Sequence, residues 1–521
     1  MSTSTSSAQG RSSLCAIILT ALAGVLSMPD SQAAANPQTP AQCVQQLVFD
    51  PTSGSFLTSD NPFLLSQNTL NCYAWQMFIA MNWPVNPGWP ANPSLAGEPD
   101  RHSPAARFGV PGTAGQPMSI APLWASYKDA NDIFLPGAAT PSGWGVQAPA
   151  PVGCQPKSAL RNLRSGARKF LTATSESAVS ARHRFHVSSS TPVTTPDSTL
   201  EATGGWLTDQ AGNLIYFERK VGKAEFDYIV ANSLYDAADQ LRVASNQDGQ
   251  SPQGLSLPAG AHFRNPPATP VAQEQLGAFE LKAAWRILTG KPQLYSRYLT
   301  SVTWLQRPDT GECSQEVVGL VGLHIIHKTE SLPDFVWTTF EHVDNVPDGG
   351  PNPAAGYTFN NPNCTGNDCT PNQERITCDA SECKDNYPRS EPVQVTREYP
   401  LSSNMNALNS AVQQAIAQQT SGQSVFQYYK LINVLWDGSP NPPVHEPGAN
   451  AKPPLVYGTF NSDASVPVAN TTLETYIQNK SCDACHKGAT IAGPSGLASD
   501  FSFLFENAAS AKNPALIKAL P

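Results

Sequence analysis

The residues best equipped for chemistry stand together late in the chain, as Ser481-Cys482-Asp483-Ala484-Cys485-His486. The order C-x-x-C-H is the one used for covalent attachment of a c-type haem. Thiols one helical turn apart can add to the two haem vinyl groups as thioethers, and the adjacent imidazole then meets the iron as proximal ligand. One covalent haem c is therefore expected, held by Cys482 and Cys485, with His486 on the metal. A thioredoxin-like redox pair would follow a buried strand and open a helix. Here the preceding TLETYIQNK, residues 472–480, is polar and reads as a helix, with Leu473, Tyr476 and Ile477 at helical spacing. A zinc knuckle needs a second ligand pair close by, and none follows Cys485. A plain Cys482–Cys485 disulfide is the remaining unremarkable reading.

The other face of such an iron has no obvious ligand. A simple cytochrome c supplies a downstream Met, and no Met follows His486. The candidates lie upstream: Met77, Met81, Met118, Met405 and the eight other histidines. Among these, VVGLVGLHIIHKT is a strongly apolar run that carries His324 and His327. Its β-branched content predicts a strand, which places the two imidazoles on opposite faces. DFVWTTFEHVDN, residues 334–345, follows as a second strand bearing Glu341 and His342. His324 is the distal candidate, as ligand or acid–base group. The opposing reading makes all three histidines hydrogen-bonded members of a core.

Elements that could position these groups are legible elsewhere. NCYAWQMFIAMNWP, residues 71–84, spaces Trp75, Phe78, Ile79 and Asn82 as a helix, with Met77 and Met81 as core filler. QEQLGAFELKAAWRIL, residues 273–288, also reads as a helix that Gly290 stops. LIYFERK predicts a strand, and EFDYIVANSLY a helix after it. Residues 246–270, rich in Pro and Gly, predict a surface loop. The fold class expected is α+β: a loop-rich mixed body, residues 36–470, with a short helical haem segment, residues 471–521, docked on it.

Residues 1–35 read as a removable export signal. Arg11 precedes an apolar stretch over residues 14–26, Pro29 breaks it, and cleavage after Ala33 or Ala35 fits. The stretch is shorter than the roughly 20 apolar residues that span a bilayer, and Cys15 lies at its front, where a lipid anchor is not expected. No later stretch is long and apolar enough to cross a membrane. Of 11 cysteines, losing Cys15 and reserving Cys482 and Cys485 leaves an even number for disulfides in an oxidising periplasm. Cys364 with Cys369 and Cys378 with Cys383 form two C-x4-C units, with a four-Cys zinc site as the alternative; Cys43, Cys72, Cys154 and Cys313 could make longer bridges. A net charge of -9 without a basic cluster argues against nucleic acid and anionic membrane as partners.

Together with the haem motif, the blocks NCYAWQMFIAMNWP, PLWASYKDANDIFLP, EFDYIVANSLY, ELKAAWRIL, GLHIIHKT, VWTTFEHVDNVP and DFSFLFENA resemble large exported bacterial monohaem c-type proteins, a group mostly of unassigned function. The resemblance spans most of the mature chain, and only C-x-x-C-H carries a chemical role across. It implies the thioether and proximal-ligand roles already given. Two functions are expected from the whole: single-electron transfer with a periplasmic redox protein, or peroxide or oxygen chemistry on a small-molecule substrate at an open distal site. A structural or sensory haem on a ligand-binding body is a third.

Overall fold

The apolar run around His324 forms the spine of the molecule. In the computed structural model, which describes residues 38–57, 66–147, 169–172, 207–245, 254–261, 269–306, 313–350, 352–366, 369–373, 392–438 and 460–510, this run is strand β6, Cys313–His327. The other strands are β1 (Lys128–Asp129), β2 (Lys169–Thr172), β3 (Tyr216–Val221), β4 (Phe279–Ile287), β5 (Thr300–Gln306), β7 (Val336–His342), β8 (Tyr429–Asp437) and β9 (Phe460–Asn461). They make one nine-stranded sheet in the order β1-β3-β4-β6-β7-β8-β9. Strand β6 is long enough to take two partners along one edge, β5 beside residues 313–319 and β7 beside residues 322–327. All pairings are antiparallel except that of β2 with β5. Helices α1 (Pro40–Gln46), α2 (Gln67–Met81), α3 (Lys223–Ala231), α4 (Ala237–Ala244), α5 (Ser403–Gln419) and α6 (Cys482–His486) complete an α+β fold.

Side chains alternate across a strand, so the sheet carries separate cores on its two faces, two of which flank the β6–β7 pair. Leu323 and Ile325 of β6, with Val336 and Phe340 of β7, pack against Trp75, Phe78 and Met81 of α2 and Met405 of α5. Phe340 meets Phe78 with ring centroids 4.5 Å apart and Trp75 at 5.2 Å. The opposite face presents Ile326 and Trp337 to Phe335, Ile491, Phe501, Leu504 and Phe505, and Cys482 packs at the edge of this second core. The strand reading of His324 and His327 is correct, and so are the helix over residues 71–81, the strand and helix on either side of Gly222, and strand β7.

Two expected helices are absent. ELKAAWRIL is strand β4, paired with β3 on one edge and β6 on the other. Phe279, Leu281, Ala283 and Trp285 alternate into the first core, and the bulge beside Ala284/Trp285 is taken up by Val321 of β6, so a period of two was present beneath the helical spacing. Sheet pairing on both edges overrides the local helix propensity. Residues 472–480 form successive turns rather than a helix: Asn470 accepts from Thr472 through its side chain, and Thr471 and Glu474 are tied to Glu341 and His324 of the sheet. A bridge joins Cys43 of α1 to Cys72 of α2, another closes Cys364–Cys369, and Cys313 is also disulfide-bonded. The second bridge occupies two of the four thiols that a zinc site there would need. Cys154, Cys378, Cys383, the export signal and most of the 246–270 loop lie outside the described residues. Among the described residues no helix is long and apolar enough to cross a membrane.

Candidate functional site

The second face of the sheet is where the sequence motif settles. Helix α6 is a single turn, and it sets Cys482 and Cys485 three residues apart on one side, both as free thiols. That state contrasts with Cys43–Cys72 and Cys364–Cys369, which are bonded. Burial pushes the Cys482 thiol well up, with Glu474 and Asp483 adding to it, and burial raises Cys485 as well. Both are protonated thiols rather than the low-pKa thiolate of a redox pair. The Ser481 hydroxyl accepts from Val468 N at 2.9 Å, and Lys487 pairs with Asp483 at 3.0 Å.

His486 is held from three sides. Its Nδ1 donates to the Phe501 carbonyl at 2.7 Å, which leaves the lone pair on Nε2. Trp337 lies 4.6 Å from its ring centroid and Phe503 lies 4.9 Å away. Burial lowers the imidazole to about 4 against the pull of the Phe501 carbonyl, so the ring is neutral at neutral pH. A neutral imidazole with Nδ1–H fixed on a carbonyl and Nε2 free is the form a metal-ligating histidine takes. Two free thiols, Cys485 next to His486 and Cys482 one turn earlier, complete the donor set for a covalent haem, and the residues present fit that group.

The stretch before α6 is tied to the sheet by buried polar groups. Glu341 of β7 accepts from Thr471 N at 2.6 Å and from the Thr471 hydroxyl at 2.8 Å, while Arg397 donates to it at 2.6 Å. Asn470 donates to the Thr339 hydroxyl at 2.8 Å and to the Phe340 carbonyl at 2.9 Å. Gly322 permits the close approach: a Cβ there would lie 2.0 Å from the Thr472 hydroxyl.

Among the described residues His324 is the one other histidine on this face that reaches the segment, with Nε2 at 2.9 Å from Glu474 Oε1. Burial would raise the Glu474 carboxyl, but His324 and then Lys282 hold it below its ordinary value. Lys282, His324 and Glu474 all act electrostatically on His486. His327 and His342 are committed to the core. His327 accepts from the Tyr73 hydroxyl, donates to the Leu276 carbonyl at 2.5 Å and stacks on Phe279 at 3.7 Å. His342 donates to the Arg297 carbonyl at 3.0 Å, accepts from Asp344 N at 3.1 Å and stacks on Tyr298 at 3.8 Å. Burial pushes each to about 3. Met77, Met81, Met118 and Met405 all pack in or against the first core, across the sheet from Cys482. His102 is exposed; His183, His186, His262 and His445 lie outside the described residues.

No protein-family model, no curated protein and no solved structure matches the chain. The site is therefore read on its own geometry.

Sequence reasoning missed a group of buried carboxyls around Lys328, a residue that ends the apolar run and is 2% exposed. Lys328 pairs with Asp500 at 2.5 Å. Burial first, and the Glu280 charge second, push the Glu225 carboxyl well up, and burial also raises Glu280. Asp334 is raised to about 7, by burial and then by its hydrogen bond to Asp437. The unfolded chain gives up this proton near 3.8, whereas the fold keeps it to about 7. Stability contributed by this group is complete below 3.8 and declines by at most about 1.4 kcal/mol per pH unit until 7. Asp334→Asn keeps a donor toward Asp437 and never ionises. It is expected to raise the melting temperature at pH 8 and leave it nearly unchanged at pH 4, followed by circular dichroism. An equal change at both pH values would refute the assignment.

Proposed function

We propose that this protein is a periplasmic c-type cytochrome, carrying one haem through Cys482 and Cys485 with His486 Nε2 as proximal ligand, and that it transfers single electrons. The observation that carries the reading is the His486 Nδ1–Phe501 carbonyl bond at 2.7 Å beside two free thiols that stand one helical turn apart. A haem held there supplies a ferrous/ferric couple. The chain's own part is to orient the imidazole, wall it with Trp337 and Phe503, and fix the segment to the sheet through Glu341. Disulfides at Cys43–Cys72 and Cys364–Cys369 support an oxidising compartment, hence export. The partner expected is a periplasmic redox protein, and the resemblance to large exported monohaem proteins points the same way.

A second reading, peroxide or oxygen chemistry on a small molecule, is favoured by the His324–Glu474 pair on the same face of the sheet. There His324 would exchange a proton with substrate and Glu474 would orient its ring. Absorption spectra of the purified protein, oxidised and then dithionite-reduced with carbon monoxide added, separate the two. The carrier is expected to give a sharp low-spin reduced spectrum unmoved by carbon monoxide. If His324 is the sixth ligand, His324→Ala makes that spectrum respond. A wild-type spectrum that shifts with carbon monoxide establishes an open site and the second reading. A protein purified without haem from a host with c-type maturation ends both.

A further inference from the structure

The carbonyl that holds His486 sits in an unusual piece of backbone. Ser502 N returns to the Ser499 carbonyl at 3.2 Å, closing a four-residue turn whose central residues are Asp500 and Phe501. Both have positive φ, 56° and 67°. Two successive left-handed residues are the pattern of a type I′ turn, which Asn and Gly adopt readily and a bulky aromatic does not. A Phe in this conformation persists only where its surroundings over-determine it, and such outliers gather at functional positions.

What over-determines it here is a buried ion pair. Asp500 Oδ2 receives Lys328 Nζ at 2.5 Å and Leu257 N at 2.6 Å, and the two charged side chains are 3% and 0% exposed. Lys328 N donates to the Ala278 carbonyl at 2.9 Å, so its backbone is pinned at the end of β6, and its ammonium lies 5.5 Å from the Phe335 ring. Phe335, itself at φ 67°, packs edge-on against Phe501 at 6.2 Å. The Ser499 hydroxyl donates to the Ser502 carbonyl at 2.6 Å and closes the far side. The chain of contacts thus runs from the sheet through Lys328 and Asp500 to the Phe501 carbonyl and then to His486 Nδ1.

We propose that Lys328 and Asp500 are positioning residues: their ion pair holds the Ser499–Ser502 turn in its left-handed form and so aims the Phe501 carbonyl at His486 Nδ1. This rests on His486 being the proximal ligand. Donation from Nδ1 to a carbonyl makes Nε2 a stronger base, and a stronger base favours ferric iron. The pair therefore keeps the midpoint potential low.

The test compares wild type with Lys328→Met and Lys328→Arg by redox titration of the haem-loaded protein and by the nitrogen NMR shift of the His486 Nδ1–H. Lys328→Met is expected to favour the reduced form by about tenfold, about 59 mV for one electron, and to move the Nδ1 signal toward that of an unbonded N–H. Lys328→Arg keeps the cation and is expected to stay within about twofold of wild type. Should Lys328→Met not fold, Lys328→Gln retains a donor to Asp500 and is expected to shift the equilibrium about threefold in the same direction. A lower melting temperature with unchanged potential and unchanged Nδ1 signal makes the pair merely structural and overturns the proposal. If the wild type carries no haem, the cytochrome reading fails separately, and the Nδ1 signal of Lys328→Met in the haem-free chain still decides whether the pair aims the carbonyl.

Discussion

Cys482→Ala/Cys485→Ala, expressed with a c-type maturation system, is expected to emerge folded and without covalent haem. Denaturing gels stained for haem peroxidase activity give the direct readout: a band for wild type and none for the double variant. The effect is large because both thioether bonds are lost, whereas the fold loses little. Helix α6 is one turn long, its two thiols are only half-buried, and its N-terminal side is held by the Ser481 hydroxyl on Val468 N rather than by either Cys. The far-ultraviolet circular dichroism of the haem-free chain should accordingly match wild type. Haem retained covalently by the double variant would place the attachment elsewhere. The single variants sharpen the result, since each leaves one thioether and His486, and they should keep a weaker band.

Glu341→Ala is expected to be the most damaging single substitution in the region, at about 3 kcal/mol, by stripping a buried cation and a buried backbone donor of their acceptor at once. Glu341 is 0% exposed and serves Thr471 N, the Thr471 hydroxyl and Arg397 together. Arg397 would keep only Asp348, which Lys430 also engages. Because the Thr471 contacts fix the strand of chain leading into α6, the loss should appear locally first. Limited proteolysis is expected to cut between residues 462 and 481 in the variant and not in wild type, well below the global melting temperature. Cleavage unchanged from wild type would mean that Asn470 alone suffices to seat the segment.

Much of the site could be read from the sequence because its chemistry is local. C-x-x-C-H places three candidate ligand atoms within five residues, and a run of β-branched residues declares a strand with its faces already sorted, so His324 and His327 separate on the pattern alone. The Phe501 carbonyl could not be read in this way. It lies fifteen residues from His486, and its orientation depends on Lys328, which is distant in sequence and reads as an ordinary polar stop to an apolar run. The same limit explains β4. ELKAAWRIL satisfies a helical and an alternating pattern together, and only its neighbours β3 and β6 choose between them. The helix expected over residues 472–480 failed for a related reason: Asn470, Thr471 and Glu474 have partners on the sheet that no local period reveals. The roles of His327 and His342 became plain only once Tyr73, Phe279, Arg297 and Tyr298 were seen around them.

Trp337, the ring against His486, is the second residue of β7, an inner strand, and is paired with Ile326 on one side and Leu435 on the other. A wall anchored in the interior of a sheet cannot swing aside when charge changes beside it, as a loop residue could. In the proposed carrier this would keep the nuclear rearrangement accompanying each electron small, which would give a large body a physical use: it is the mass that keeps the imidazole still.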